Sequence, residues 1–128
     1  MPFIDIRLNK ELSSEQYDRL AREVTLNMDS IMGKRKEVTS VLINSLQQAP
    51  WTIDSKGLQK PTAYVDIKIT QGTNTEQEKA ELISVIYQLL QSVLGELEEA
   101  SYIVIHEINA GDWGYGGLSQ AARKAAAL

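Results

Sequence analysis

Residues 2–8, PFIDIRL, return at 63–69 as AYVDIKI, an offset of 61 residues. Each copy alternates: Ile4, Ile6 and Leu8 stand against Phe3, Asp5 and Arg7, and Val65, Ile67 and Ile69 stand against Tyr64, Asp66 and Lys68. A period of two is the signature of a strand with one face turned to a core. The pattern therefore predicts two related strands, and the duplication continues beyond them.

A helix is expected after each strand. Ser13 with Gln16, and Thr75 with Glu78, have the spacing of a capping box, in which two side chains reciprocally satisfy orphan backbone N–H groups. The offset is now 62, so the loop holding Gly72 carries one extra residue. Leu20, Val24, Met28 and Ile31 recur at helical steps, as do Leu82, Ile86, Leu90 and Val93. Gly33 and Gly95 mark matching exits, where left-handed caps are expected. Second strands are predicted around Val38–Leu46 and Ser101–Ile108, with Val41 matched to Ile103 and Ile43 to Ile105. Beyond them Trp51 falls on Trp113, and these are the chain's two tryptophans.

The chain thus reads as βαβ twice, a first unit over 1–60 and a second with a tail over 61–128, joined by a connection at 54–62 punctuated by Gly57 and Pro61. Parallel strands within each right-handed unit give an α+β domain: a four-stranded sheet with two helices on one face. The other face carries Phe3, Tyr64, Tyr102 and Val104. No helix is left to cover it, so contact with further copies of the chain is expected there.

Composition narrows the function. A chain of 128 residues with 43% hydrophobic and 23% charged residues is about one soluble domain. It has no run of ~18 apolar residues and no basic-then-apolar leader, so neither membrane spanning nor export is suggested and a cytoplasmic protein is expected. Without cysteine, and with His106 as the only histidine, disulfides and a thiolate or histidine-rich metal site are not expected. A net charge of −4 argues against nucleic acid as a partner. The one basic run, Lys34-Arg35-Lys36, is by itself a solvated loop. His106 beside Glu107 is by itself a structural pair. The alanine-rich tail from Leu118, with Arg123 and Lys124, reads as a frayed helix or a strap on a neighbour.

With these features assembled, the chain resembles the tautomerase superfamily over nearly its whole length. The resemblance lies in Met1-Pro2-Phe3-Ile4, in EQEKAELI (76–83) and WGYGG (113–117), which are similar to the single-unit 4-oxalocrotonate tautomerases, and in Gly33-Lys34 and YIVIHEINAGDWGY (102–115), which are similar to the two-unit macrophage migration inhibitory factor group. It implies a homotrimer with no cofactor, acting on a small carbonyl acid. It also implies that Pro2, exposed by removal of Met1, serves as general base. A terminal ammonium is a base near neutral pH only if its pKa is lowered, which an apolar pocket and a neighbouring cation both do. Trp51 would supply the apolar wall, and Lys34 would supply the cation and hold a carboxylate. Tyr102, reaching into a neighbour's pocket, would donate to the enolate oxygen. Trp113 and Asn109 would shape the rim. Ala63 stands where the second copy would need a proline, so one site per chain is expected.

The pattern is not complete. Positions where 4-oxalocrotonate tautomerases carry arginines read Leu12, Asn74, Ser40 and Tyr102, and where dehalogenases and decarboxylases carry them the chain reads Thr70, Gln71, Gly72 and Thr73. With Met1 retained, the Pro2 nitrogen is an amide without a basic lone pair. Two alternatives stand beside the tautomerase: a non-catalytic trimeric scaffold or ligand-binding protein, and a hydratase using Glu107 or Asp112. On residues alone, Pro2 also fits a strand start, Lys34 a loop, Tyr102 a strand face and Trp51 a core or interface.

Overall fold

The computed structural model describes residues 1–127. In chain order the main elements are β1 (Phe3–Leu8), α1 (Ser14–Ser30), β2 (Ser40–Ser45), β3 (Thr52–Ile53), β4 (Lys56–Gly57), β5 (Ala63–Thr70), α2 (Glu76–Leu94), β6 (Tyr102–Ile108), β7 (Gly114–Tyr115), β8 (Leu118–Ser119) and α3 (Gln120–Ala127). The main sheet runs β2-β1-β5-β6. β1 is parallel to β2 and β5 to β6, while β1 and β5, the two repeated stretches, meet antiparallel at the centre.

That central register explains the internal symmetry. Asp5 faces Asp66, Ile4 faces Ile67 and Ile6 faces Val65. Because Asp66 is also the repeat partner of Asp5, a pseudo-two-fold axis passes between them. Duplication therefore sets two carboxylates opposite one another, a like-charge pairing that destabilises a sheet unless cations offset it. Arg7 lies 3.3 Å from Asp5, and its repeat partner Lys68 lies 3.3 Å from Asp66. His106 adds an Nε2 contact of 2.7 Å to Asp66. That contact is not aligned as a hydrogen bond and becomes an ion pair only on protonation. Thus His106 pairs with Asp66, and the neighbouring Glu107 faces Lys79 at 3.5 Å.

The alternation delivers Ile4, Ile6, Leu8, Val65, Ile67 and Ile69 to one sheet face, all fully buried. Leu20, Val24 and Met28 of α1 and Leu82, Ile86 and Leu90 of α2 join them in a single core. Each such aliphatic side chain contributes roughly 1.5–3 kcal/mol when taken out of water. Both capping boxes are present in full, from Ser13 with Gln16 and from Thr75 with Glu78.

Two local expectations change. β2 begins at Ser40 rather than near Val38, since Lys36–Val38 is a 3-10 turn whose exit is held by the Thr39 hydroxyl donating to the Arg35 carbonyl at 2.7 Å. Gly33 (φ 68°) closes α1 with nested bonds, Gly33 N–H to Asp29 O at 2.9 Å and Lys34 N–H to Met28 O at 3.0 Å. Gly95 has φ 92° and ψ −161°, an extended mirror conformation instead of a left-handed cap. The tail forms a helix: the β7–β8 hairpin leads into α3, and the Gln120 N–H donates to the Trp113 carbonyl at 2.8 Å.

Candidate functional site

Chain direction places Pro2 at one end of the sheet. It immediately precedes β1, whose first residue, Phe3, faces Ser40 on one side and Lys68 on the other. Pro2 is buried, and its carbonyl accepts the Ser40 N–H at 3.3 Å. The glycine exit of α1 turns the chain back toward this end and delivers Lys34 there. Lys34 is only 8% exposed, unusual for a lysine, and its ammonium donates to the Thr73 hydroxyl at 2.7 Å. Thr73 in turn donates to the Thr70 carbonyl at 2.6 Å. Gly72, with φ 78°, lets the loop make this bend.

Met1, Lys34, the Thr70–Thr73 loop, Tyr115, Gln120, Arg123 and Lys124 line one hollow of about 580 Å³. Among the described residues three side-chain cations and no carboxylate border it. Burial, and then the charges of Lys34 and Arg35, hold the chain-start amine below its ordinary value of 8.0. Burial likewise lowers the Lys34 pKa, with Glu78 pulling the other way. Glu78 is itself held below the ordinary carboxyl range by the Thr75 backbone N–H and then by the Asn74 amide. Electrostatically, the site is suited to an anion.

Of the residues singled out from sequence, Lys34 lines the hollow together with Met1, while Pro2, the next residue in the chain, is buried and is not among the lining residues. Trp51 and Tyr102 do not join them within one chain. Tyr102 starts β6 opposite Tyr64, which faces Arg7 near the far end of β1, roughly 15–20 Å along the strands from Pro2. There Trp51, Tyr64 and Tyr102 border a second hollow of about 390 Å³, and Tyr102 is 56% exposed. By the repeat offset, this end carries Ala63 in place of Pro2 and Glu96 in place of Lys34, with Glu96 paired to Lys60 at 3.1 Å. Duplication preserved the frame at this end without the amine or the cation.

Neither Glu107 nor Asp112 borders the hollow of Met1 and Lys34. Asn109 accepts the Gly111 N–H at 2.8 Å, and Trp113 anchors α3, so both shape the tail that forms one wall. Leu12 is core, and the Asn74 amide is engaged with the Met32 carbonyl at 2.9 Å and with Glu78 at 3.2 Å. Sequence reasoning missed Thr73, Arg123 and Lys124 as site residues. Thr73 follows a glycine in a loop with no charge to draw notice. Arg123 and Lys124 lie nearly ninety residues after Lys34, and only the fold of the tail brings them to the same hollow. Among the described residues no group of acidic, histidine or cysteine side chains could hold a metal, and no helix is long and apolar enough to cross a membrane.

Comparisons with known proteins agree with this architecture. The family model described as tautomerase enzyme matches twice, over residues 2–60 and 64–123. A probable tautomerase K2 of Dickeya dadantii (strain 3937) is 34% identical over 61 residues, spanning 48% of this chain and 91% of the relative. A fused 4-OT solved as an asymmetric trimer is 22% identical, with a TM-score of 0.83 over 95% of this chain and 98% of that one. A macrophage migration inhibitory factor-like protein of Entamoeba histolytica is 19% identical, with a TM-score of 0.76 over 92% and 97%. A protein solved after inactivation by 2-oxo-3-pentynoate is 16% identical, with a TM-score of 0.84 over 94% and 98%. The helix-backed sheet of two antiparallel-joined βαβ units, matched in both halves, makes this chain a member of the tautomerase family.

Proposed function

We propose that the chain is a cofactor-independent tautomerase that moves a proton on a small carbonyl acid, with Pro2 as base and then acid after removal of Met1. The observation that carries this reading is a buried lysine that shares a hollow bordered by cations with Met1, directly ahead of the buried Pro2 at the head of β1. The Met1 amine stands one residue ahead of the secondary amine that would do the work. The influences on it, burial together with Lys34 and Arg35, are those that make an amine basic near neutrality.

In this mechanism the substrate carboxylate pairs with Lys34, which Thr73 holds in place. The unprotonated Pro2 nitrogen takes a proton from one atom of the enol or keto form, and the resulting ammonium returns it to the other. Inactivation of a structural relative by an acetylenic 2-oxo acid is in keeping with a nucleophilic nitrogen facing a keto acid. Among the described residues no carboxylate borders the hollow, which favours proton shuttling over water addition, because activating water would need a base besides Pro2.

Trimeric assembly, as in the fused 4-OT relatives, would bring the Trp51 and Tyr102 end of one copy against the Pro2 end of another. The neighbour's Trp51 would then wall the pocket, and Tyr102 would donate its phenol to the enolate oxygen. This division fits the distance separating the two ends within one chain.

The test begins with mass spectrometry to establish that Met1 is absent. Ketonisation of phenylenolpyruvate and of 2-hydroxymuconate is then followed for wild type, Pro2→Ala and Lys34→Ala. A loss of about 100-fold or more in kcat/KM is expected for Pro2→Ala, the range of a general base. Equal rates for wild type and Pro2→Ala would overturn the enzyme reading in favour of a scaffold.

A further inference from the structure

Lys34 is a cation in an unfavourable place. It is 8% exposed, and among the described residues its ammonium has one hydrogen bond, to the Thr73 hydroxyl at 2.7 Å, and no ion pair. Most of its charged surroundings are positive: the chain-start amine and Arg35 lie beside it, and Arg123 and Lys124 of α3 border the same hollow, with the Tyr115 phenol between them and the hairpin. A buried charge without a counter-charge is costly and tends to be neutralised. The carboxylate that acts on it comes from α2. Glu78 opposes the effect of burial on Lys34, and Lys34 acts in return on Glu78.

Comparison of the two repeats shows that this carboxylate is not required by its helix. Both capping boxes are complete, yet the partner of the N-cap is Gln16 in α1 and Glu78 in α2. An amide therefore suffices for the box, and the charge at position 78 is surplus to it. The residue before the N-cap differs too. Leu12 is core, whereas the Asn74 amide donates to the Met32 carbonyl at 2.9 Å and to Glu78 Oε1 at 3.2 Å. Asn74 thus ties the exit of α1, two residues before Lys34, to the Glu78 carboxylate, which the Thr75 N–H also holds at 2.9 Å. At the mirrored exit the Leu94 carbonyl receives the Lys10 ammonium at 3.5 Å instead. By the repeat offset, Lys34 with Glu78 at one end corresponds to Glu96 with Gln16 at the other. The carboxylate accompanies the lysine and is missing where the lysine is missing.

We propose that Glu78 is a positioning residue for Lys34: fixed by Asn74 and Thr75, its carboxylate supplies the negative charge that balances the buried ammonium and keeps it available to a substrate carboxylate. This rests on the reading of Lys34 as the group that holds the substrate. Glu78 lies outside the lining of the hollow, so it balances the lysine without occupying the side from which an anion approaches.

Nuclear magnetic resonance of protein carrying isotope-labelled lysine tests this without turnover, the Lys34 signal being identified by its loss in Lys34→Arg. Glu78→Gln copies the amide that α1 already uses, so the capping box is retained. Loss of the negative charge makes the ammonium easier to deprotonate, and the Lys34 titration is expected to move to lower pH while that of Lys56, on β4, stays in place. Lys34→Ala reads the same coupling from the other side and should move the Glu78 carboxyl titration to higher pH. Should circular dichroism show that Glu78→Gln does not fold, this second measurement decides alone. In phenylenolpyruvate ketonisation, the alkaline limb of kcat/KM should move to lower pH in Glu78→Gln, through KM more than kcat. In a Lys34→Arg background, where the guanidinium stays charged, the same exchange should leave that limb in place. A purely structural role for Glu78 would lower stability without moving either titration. Titrations of Lys34 and Glu78 that stay fixed in these variants would overturn the proposal, as would an alkaline limb that stays fixed in an enzyme whose Pro2→Ala variant is inactive. The resonance measurements use no substrate, so they decide on Glu78 even if Pro2→Ala is as active as wild type and the tautomerase reading falls.

Discussion

At the scale of single residues, the decisive pairing is a buried proline with a buried lysine. Each has an ordinary structural explanation alone: a strand accepts proline at its first position, and a helix C-terminus favours a cation. Together they place a positive charge beside the start of the chain in a partly dry setting. The pH dependence follows from the direction of the shift. Burial first, then Lys34 and Arg35, lower the chain-start amine from 8.0, so the free base persists to lower pH than at an unperturbed terminus. With Met1 removed, the same burial and charges act on the Pro2 amine, and the acid limb of kcat/KM is expected below that of an unperturbed amino-terminal proline. Lys34→Ala removes one lowering charge, so protonation extends upward and the limb should move to higher pH, alongside weaker carboxylate binding. A pH–rate profile whose acid limb stays fixed in Lys34→Ala would show that this charge does not act on the base.

At the scale of elements, sequence and structure agree where the chemistry is local. A capping box needs only a serine or threonine and a glutamine or glutamate at the right spacing, and both occur as expected. Removing the N-cap side chain, as Ser13→Ala or Thr75→Ala, should cost about 1 kcal/mol each in urea unfolding. The helices are separate, so the double variant should lose close to the sum. Gly33→Ala should cost about 1–2 kcal/mol, since φ of 68° is strained for any residue with a Cβ even though nothing lies within 4 Å of it. An unchanged urea midpoint for these variants would contradict the cap assignments. Gly95 shows the limit of local reading: a glycine at a helix exit signals positive φ, but its ψ depends on where the following chain must go. The extended form continues α2 toward Leu97, which is buried, and toward Glu98, whose N–H donates to the Pro61 carbonyl at 2.9 Å.

At the scale of the molecule, the open sheet face remains to be covered. Leu42 is 45% exposed and Tyr102 56%, beside the Asp5, Arg7, Asp66 and Lys68 charges and the His106 ring at the centre. If trimerisation completes the site, sedimentation should give a mass near three times the 14.3 kDa chain. Leu42→Lys, which places a charge at an apolar position on that face, should shift the protein toward monomer and reduce kcat together with assembly. A fully active monomer would sink the shared-site arrangement and require a different role for Trp51 and Tyr102.

The sequence by itself determined the duplicated framework: two strands by period two, two helices by apolar spacing and caps, and the family resemblance through Pro2, Gly33-Lys34 and the motifs of the second half. These are encoded between near neighbours, where the geometry of a strand or a helix turns spacing directly into a face. Only the tertiary structure decided that the two units meet through antiparallel β1 and β5, which sends Pro2 to one end of the sheet and Tyr102 to the other. It also decided that the tail folds back to bring Arg123 and Lys124 beside Lys34. Those outcomes come from long-range pairing and packing, in which residues nearly ninety positions apart become neighbours because a shared core, and not their own spacing, holds them there.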